Sequence, residues 1–145
     1  LITEDVEVNA RTGELGPLCL VGQNSPDWLA ERAGVGELPL WGQQAATIDG
    51  IDVFVRRVGF TQLPAFELVI AHIQRSALEN AVLVRGVEYG TAEQFEALRI
   101  EAGFPQYGIE LSEENIAQEA GRNEEAISFK KGCYLGQEPI ARLDA

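Results

Sequence analysis

Positive charge is scarce in this sequence. Its 145 residues carry 11 lysines and arginines against 23 aspartates and glutamates, a formal net charge of −12. Phosphate backbones and anionic lipid surfaces demand the opposite sign, which excludes charge-driven binding to nucleic acid or to a membrane surface. Soft metal ligands are nearly as rare. One histidine, no methionine and two cysteines, neither in a Cys-x-x-Cys pair, exclude a disulfide framework and a closed zinc site. No apolar run approaches the roughly 18–20 residues of a membrane-spanning helix. The front of the chain lacks the charge-then-apolar order of a signal peptide. Because it opens on Leu1 and not on methionine, the expectation is a piece of something longer.

Apolar residues, in contrast, are plentiful. A hydrophobic share of 46% with 23% charged residues is too apolar for a disordered tail and enough for a domain with a core. The charge is unevenly spread. Residues 1–121 hold seven arginines and 19 acids, whereas residues 122–145 balance four of each. Both lysines of the chain, Lys130 and Lys131, lie in that neutral tail, just before Cys133.

The pattern along the chain predicts strands mixed with helices. Residues 16–22 form a short apolar run between glycines and read as a buried strand, with Cys19 as inert core. Ser25-Pro26-Asp27 reads as a serine cap, a proline in the first turn and an early acid, so a helix starts there and stops at Gly34. Residues 44–60 read as a hairpin turning on Asp49-Gly50, since both central positions of a type I′ turn need positive φ. Phe66, Leu68 and Ile70 alternate with Glu67 and Val69, as in a strand with two different faces. A helix is expected over about 72–82, with Ile73, Ala77, Leu78 and Ala81 on its apolar stripe and His72 in a structural role. Thr91 and Gln94 form a capping box for a helix carrying Phe95, Leu98 and Ala102, ended by Gly103 and Pro105. Residues 103–121 are irregular and polar. The fold class that follows is α+β, an antiparallel sheet flanked by helices.

The most specific chemistry lies in Lys131-Gly132-Cys133-Tyr134-Leu135-Gly136-Gln137-Glu138. Glycines allow a sharp turn, ammonium charge favours a thiolate, and Gln137 and Glu138 place an amide and a carboxylate within reach of that turn. The residues alone leave a second reading open: a packed turn whose cysteine is a small hydrophobe.

The stretch from Lys131 to Glu138 resembles the signature of the YgfZ-type folate-binding proteins. These are paralogues of the glycine-cleavage T protein (aminomethyltransferase), and their mitochondrial relatives act in iron–sulfur cluster assembly. Leu98-Arg99-Ile100-Glu101-Ala102-Gly103, then Pro105, Tyr107-Gly108, Glu110 and Gln118-Glu119-Ala120-Gly121, follow the order of a T-protein block. The likeness is strong over 95–143, and over 16–90 it rests on the order of elements.

The resemblance implies a T-protein-like folate-binding fold, without part of the amino-terminal region and without the carboxy-terminal barrel. Residues 1–121 would form the central domain, and 122–145 a signature segment leading into the barrel. It implies tetrahydrofolate, or a one-carbon-substituted folate, as the cofactor. Glu67 matches a strand glutamate that contacts the pterin, Arg99 a helix arginine lining the site, and Tyr107 a further binding residue. A carboxylate suits a pterin because its oxygens accept paired N–H donors. On the residues alone, Glu67 also fits a solvated strand position, and Arg99 also fits a pair with Glu96 or Glu101 on its own helix.

Two departures bear on activity. The T protein's Gly-Tyr-Thr-Gly-Glu-x-Gly approach to the glutamate here reads Gly59-Phe60-Thr61-Gln62-Leu63-Pro64-Ala65. The segment that holds the T protein's catalytic aspartate has no counterpart, so no catalytic acid carries over. Cysteine at 133 is a YgfZ-type feature. The expected function is therefore a tetrahydrofolate-binding accessory protein for assembly or repair of iron–sulfur enzymes, with Cys133 as functional thiol and iron–sulfur client or assembly proteins as partners. The alternatives are a folate-dependent aminomethyltransferase or methyltransferase and a non-catalytic binding module. No resident metal, nucleic acid or membrane is expected. The expected compartment is the bacterial cytoplasm, or the mitochondrion in a eukaryote.

Overall fold

Asp49 and Gly50 adopt φ of 49° and 80°, and this primed turn closes the antiparallel hairpin of residues 43–58 at one side of the sheet. The computed structural model describes residue 5 and residues 7–144, the last by its backbone alone. The chain divides into two compact units, Leu1–Ala102 and Gly103–Ala145.

In the first unit the order is β1 (Leu15–Val21), α1 (Ser25–Ala33), β2 (Gln43–Ile48), β3 (Ile51–Val58), β4 (Ala65–Ala71), α2 (Arg75–Leu83) and α3 (Ala92–Glu101). The strands form an antiparallel sheet in the order β1-β4-β3-β2. Strand alternation sorts its residues into two faces. Leu20, Phe66, Leu68, Ile70, Val53, Val55 and Ile48 point inward, where Leu29 of α1 and Leu78 and Val82 of α2 join them in one buried cluster. Removing each such side chain from water contributes about 1.5–3 kcal/mol. The opposite face carries the cross-strand row Cys19, Glu67, Arg56, Gln43.

Several local expectations shift. Strand β1 is not buried on both faces. It is an edge strand with alternating burial, and Cys19 is exposed instead of lying in the core. Helix α1 starts one residue early: Asn24 holds the N-cap position without a side-chain cap bond, and Ser25 is the buried first residue of the helix; Gly34 ends it as expected. The second helical segment opens with a 3-10 turn, His72–Gln74, before α2. That turn has about three residues per turn, so it rotates the stripe. Ile73 is 92% exposed and Ala77 is also exposed, while Leu78 and Val82 face the core. The capping box of α3 is present, with Thr91 Oγ1 accepting from the Gln94 N–H and Gln94 Oε1 accepting from the Thr91 N–H.

The second unit is mostly turns. It holds an isolated bridge between Tyr107 and Leu111, a 3-10 turn at Ala117–Ala120, a single helical turn α4 (Asn123–Ala126) and α5 (Gln137–Asp144). Gln118 Nε2 donates to the Ile140 carbonyl at 3.0 Å, and Arg122 lies 4.7 Å over the Phe104 ring.

Candidate functional site

Glu67 lies on the outward face of the inner strand β4, near its Ala65 end, and it is not a solitary solvated carboxylate. Its Oε2 accepts from Arg56 Nε at 3.0 Å and also from Arg56 Nη2, across the β3–β4 pair. The Glu67 side chain is 15% exposed and that of Arg56 46%, so the ion pair lies flat on the sheet with one side open to solvent. Both guanidinium contacts fall on one oxygen, and among the described residues Oε1 has no hydrogen-bond partner.

Cys19 is the other neighbour of Glu67, directly opposite it on β1. Although the residue is exposed, burial within the surrounding sheet pushes its thiol up to about 11, and the Glu67 carboxylate adds to that rise. Cys19 is thereby held as a protonated thiol, the unreactive form.

At the end of β3 the chain presents an aromatic pair. Trp41 and Phe60 have ring centroids 6.0 Å apart at 58°. Trp41 takes φ of 65°, uncommon for a bulky residue. Its backbone is held there because its N–H donates to Arg57 O, while the Arg57 N–H donates to Gly42 O. The indole is 46% exposed. Phe60 follows Val58, whose partner Ala65 is two residues from Glu67, so the aromatic pair and the carboxylate share one end of the sheet. Sequence reasoning passed over Arg56. Strand-register arithmetic from the Asp49-Gly50 turn and the Phe66–Ile70 alternation was the signal available for Arg56.

Arg99 is 4% exposed on α3, and Glu96 is among its partners, through Nε at 3.1 Å and through Nη2. Its reading as an intrahelical pair is therefore realised, though in a buried setting and not on the helix surface. Tyr107 lies in the second unit and is 65% exposed.

The signature segment is open to solvent. Lys131, Gly132, Cys133, Gly136 and Glu138 are exposed, and Tyr134 and Gln137 half-buried. The Lys131 ammonium sits 4.4 Å over the Tyr134 ring. The Gln137 N–H donates to Tyr134 O at 3.3 Å, which closes a turn whose Gly136 has φ of 80°. Glu138 pairs with Arg142 one turn along α5, so its carboxylate is engaged by the helix and not by the cysteine turn.

A cleft of about 780 Å³ opens along β1, walled by the end of α2, residues 87–90 and α3. It takes in Cys19 but neither Glu67 nor Arg99. Among the described residues no group of three or more histidine, cysteine, aspartate or glutamate side chains could hold a metal ion. No described helix is long and apolar enough to cross a membrane.

The family model that describes the GCVT N-terminal domain matches residues 1–131. The chain belongs to that family. Curated relatives agree. An aminomethyltransferase of Thermoanaerobacter pseudethanolicus is 30% identical over 145 residues, covering 95% of this chain and 39% of that protein. One of Listeria monocytogenes is 28% identical over 144 residues, covering 97% and 40%. One of Rubrobacter xylanophilus is 28% identical over 141 residues, covering 95% and 38%. The chain thus spans about two fifths of the length of these relatives. The GCVT match covers the whole first unit, including the Cys19–Glu67–Arg56 row and the Trp41–Phe60 pair, and ends at Lys131, just before Cys133.

Proposed function

We propose that this chain is the folate-binding portion of a T-protein-type protein, with Glu67 as the acceptor for the pterin edge. The observation that carries the reading is a GCVT-domain carboxylate fixed on an open sheet face with one oxygen to spare. Arg56 orients Glu67 through Oε2 and leaves Oε1 to accept an N–H donor of the pterin. The Trp41–Phe60 pair, with Trp41 exposed and Phe60 half-buried, supplies π-faces toward that end of the sheet for a flat heterocycle. These residues suit tetrahydrofolate, which when bound supplies a nitrogen carrier for one-carbon units. In the same reading the resemblance gives Arg99 and Tyr107 binding roles of their own.

Within that reading the protein is of the YgfZ type, an accessory to iron–sulfur enzymes in the bacterial cytoplasm or the mitochondrion. The residues from Lys131 to Glu138 support it, with Cys133 exposed as the functional thiol. One thiolate cannot hold a cluster that usually takes four, so any cluster is shared with an iron–sulfur client or assembly protein. Residues 122–145 then lead from the central domain towards a barrel. A second reading, aminomethyl transfer to folate, is favoured by the names of the relatives.

The test is calorimetric titration of the full chain with tetrahydrofolate. Loss of a hydrogen bond to a charged group is worth about 1.5–3 kcal/mol, so Glu67→Ala should raise Kd by about 10- to 150-fold. An unchanged Kd removes Glu67 from the site. Cys133→Ser should leave that Kd unaltered and abolish complementation of iron–sulfur enzyme activity in cells. Turnover of an aminomethyl donor, retained in Cys133→Ser, would instead establish the transferase reading.

A further inference from the structure

Among the described residues, the hydrogen-bond register leaves strand β1 an unpaired outer edge. The Gly22 N–H donates to Pro64 O at 3.0 Å and the His72 N–H to Glu14 O at 2.7 Å, which sets the phase of the β1–β4 ladder. In an antiparallel pair the main-chain groups of alternate residues point to opposite sides. Gly16, Leu18 and Leu20 therefore address β4, and Leu15, Pro17, Cys19 and Val21 address the outside. Two of the outward positions are closed. The Leu15 N–H donates to Arg11 O, and Pro17 has no N–H while its carbonyl accepts from Arg75 Nη1. Cys19 and Val21 remain, and among the described residues their outward N–H and C=O groups have no partner.

The 780 Å³ cleft lies against this edge. It is lined by five consecutive residues, Pro17 to Val21. Successive side chains alternate between faces, so a cavity touching all five runs along the strand's edge, and it reaches past that edge to Leu68 on the inward face. Its other walls are chiefly apolar, with Val82, Leu83, Val87, Phe95 and Leu98. Its charged lining is acidic, with Glu79, Glu88 and Glu101 against Arg75, which Glu79 already pairs.

We propose that this edge receives an extended segment of a partner protein in which apolar residues alternate with lysine or arginine. The segment adds to the sheet as a fifth strand, exchanging main-chain hydrogen bonds with Cys19 and Val21. Its apolar side chains enter the cleft, its cations meet Glu88 and Glu101, and Pro17 ends the pairing. A second copy of this chain would bring the same acidic rim and a net charge of −12 against its own kind, so charge selects a basic partner instead.

The probe is a capped, fluorescein-labelled peptide of about eight residues that alternates valine with lysine, about the length of a natural strand. Anisotropy titration of the full chain should give saturable binding that weakens as salt rises. The amide protons of Cys19 and Val21 should gain hydrogen-exchange protection in the complex. The double variant Glu88→Lys, Glu101→Lys lies on the rim and should weaken binding at least tenfold. Cys19→Pro, which removes one outward N–H at an edge position that tolerates proline, should do the same. A peptide with glutamate in place of lysine should not bind. Absence of saturable binding, protection at amides other than those two, or equal affinity in the rim variant would overturn the proposal. Sedimentation of the chain alone as a dimer with those two amides protected would overturn it in favour of self-pairing.

Discussion

Replacing Cys133 by serine leaves Cys19 as the single thiol, and its reaction with a chromogenic aromatic disulfide then reads the outward face of the sheet. The folded thiol is raised from 9.0 to about 11, first by burial and then by Glu67. At pH 8 a rise of this size lowers the thiolate fraction on the order of 100-fold. A more basic thiolate is a better nucleophile, and a Brønsted slope of about 0.4–0.5 restores roughly 6- to 10-fold. The net expectation is a rate on the order of tenfold below that of the same chain unfolded in urea. The pH profile is the firmer reading: the rate should keep rising toward pH 11 and not level off near 9.0. Glu67→Gln should speed the reaction only in part, since the carboxylate is the smaller of the two causes. The sign for stability follows from the same rise. A group raised in the folded state contributes fully below its unfolded value of 9.0, and the contribution is lost as pH climbs toward 11. A plateau near 9.0, or a folded rate equal to the unfolded one, would refute the placement of Cys19.

Other outcomes follow from the core and from α3. Leu78 is fully buried, so Leu78→Ala should cost about 2–5 kcal/mol and lower the urea midpoint without changing its slope. Thr91→Ala removes the acceptor for the Gln94 N–H and should cost about 1 kcal/mol in a thermal melt followed by circular dichroism. The Glu93 carboxyl is held below its ordinary 4.5 by a hydrogen bond to its own backbone and by the Thr91 hydroxyl. Its contribution is therefore present above about 4.5 and lost as pH falls through the lower folded value. Glu93→Gln should flatten that acid-side decline in urea titrations between pH 6 and pH 3.

Features with a local cause were legible in the residues. The Asp49-Gly50 turn, the Thr91 capping box and the two-faced alternation of Phe66 to Ile70 each depend on dihedral preference or spacing within a few positions, and each is present. Where a neighbouring segment shifts the phase, local reading missed by a residue or a face. Asn24 holds the N-cap position expected of Ser25, without a side-chain cap bond, and the 3-10 turn at His72–Gln74 leaves Ile73 in solvent.

The candidate site divides along the same line. Glu67, Arg99 and Cys133 are candidates by residue type and motif, and the kinship with the GCVT family could be read from the chain alone, because motif spacing and strand alternation are properties of sequence. Three things needed the tertiary structure. Arg56 meets Glu67 across a strand pair, a contact set by register. Arg99 is buried beside Glu96, which depends on where α3 packs. Cys19 and Val21 turn main-chain groups outward that, among the described residues, are unpaired because β1 ends the sheet there. An edge, a register and a buried cation exist only once distant segments are assembled, and no window of neighbouring residues contains them.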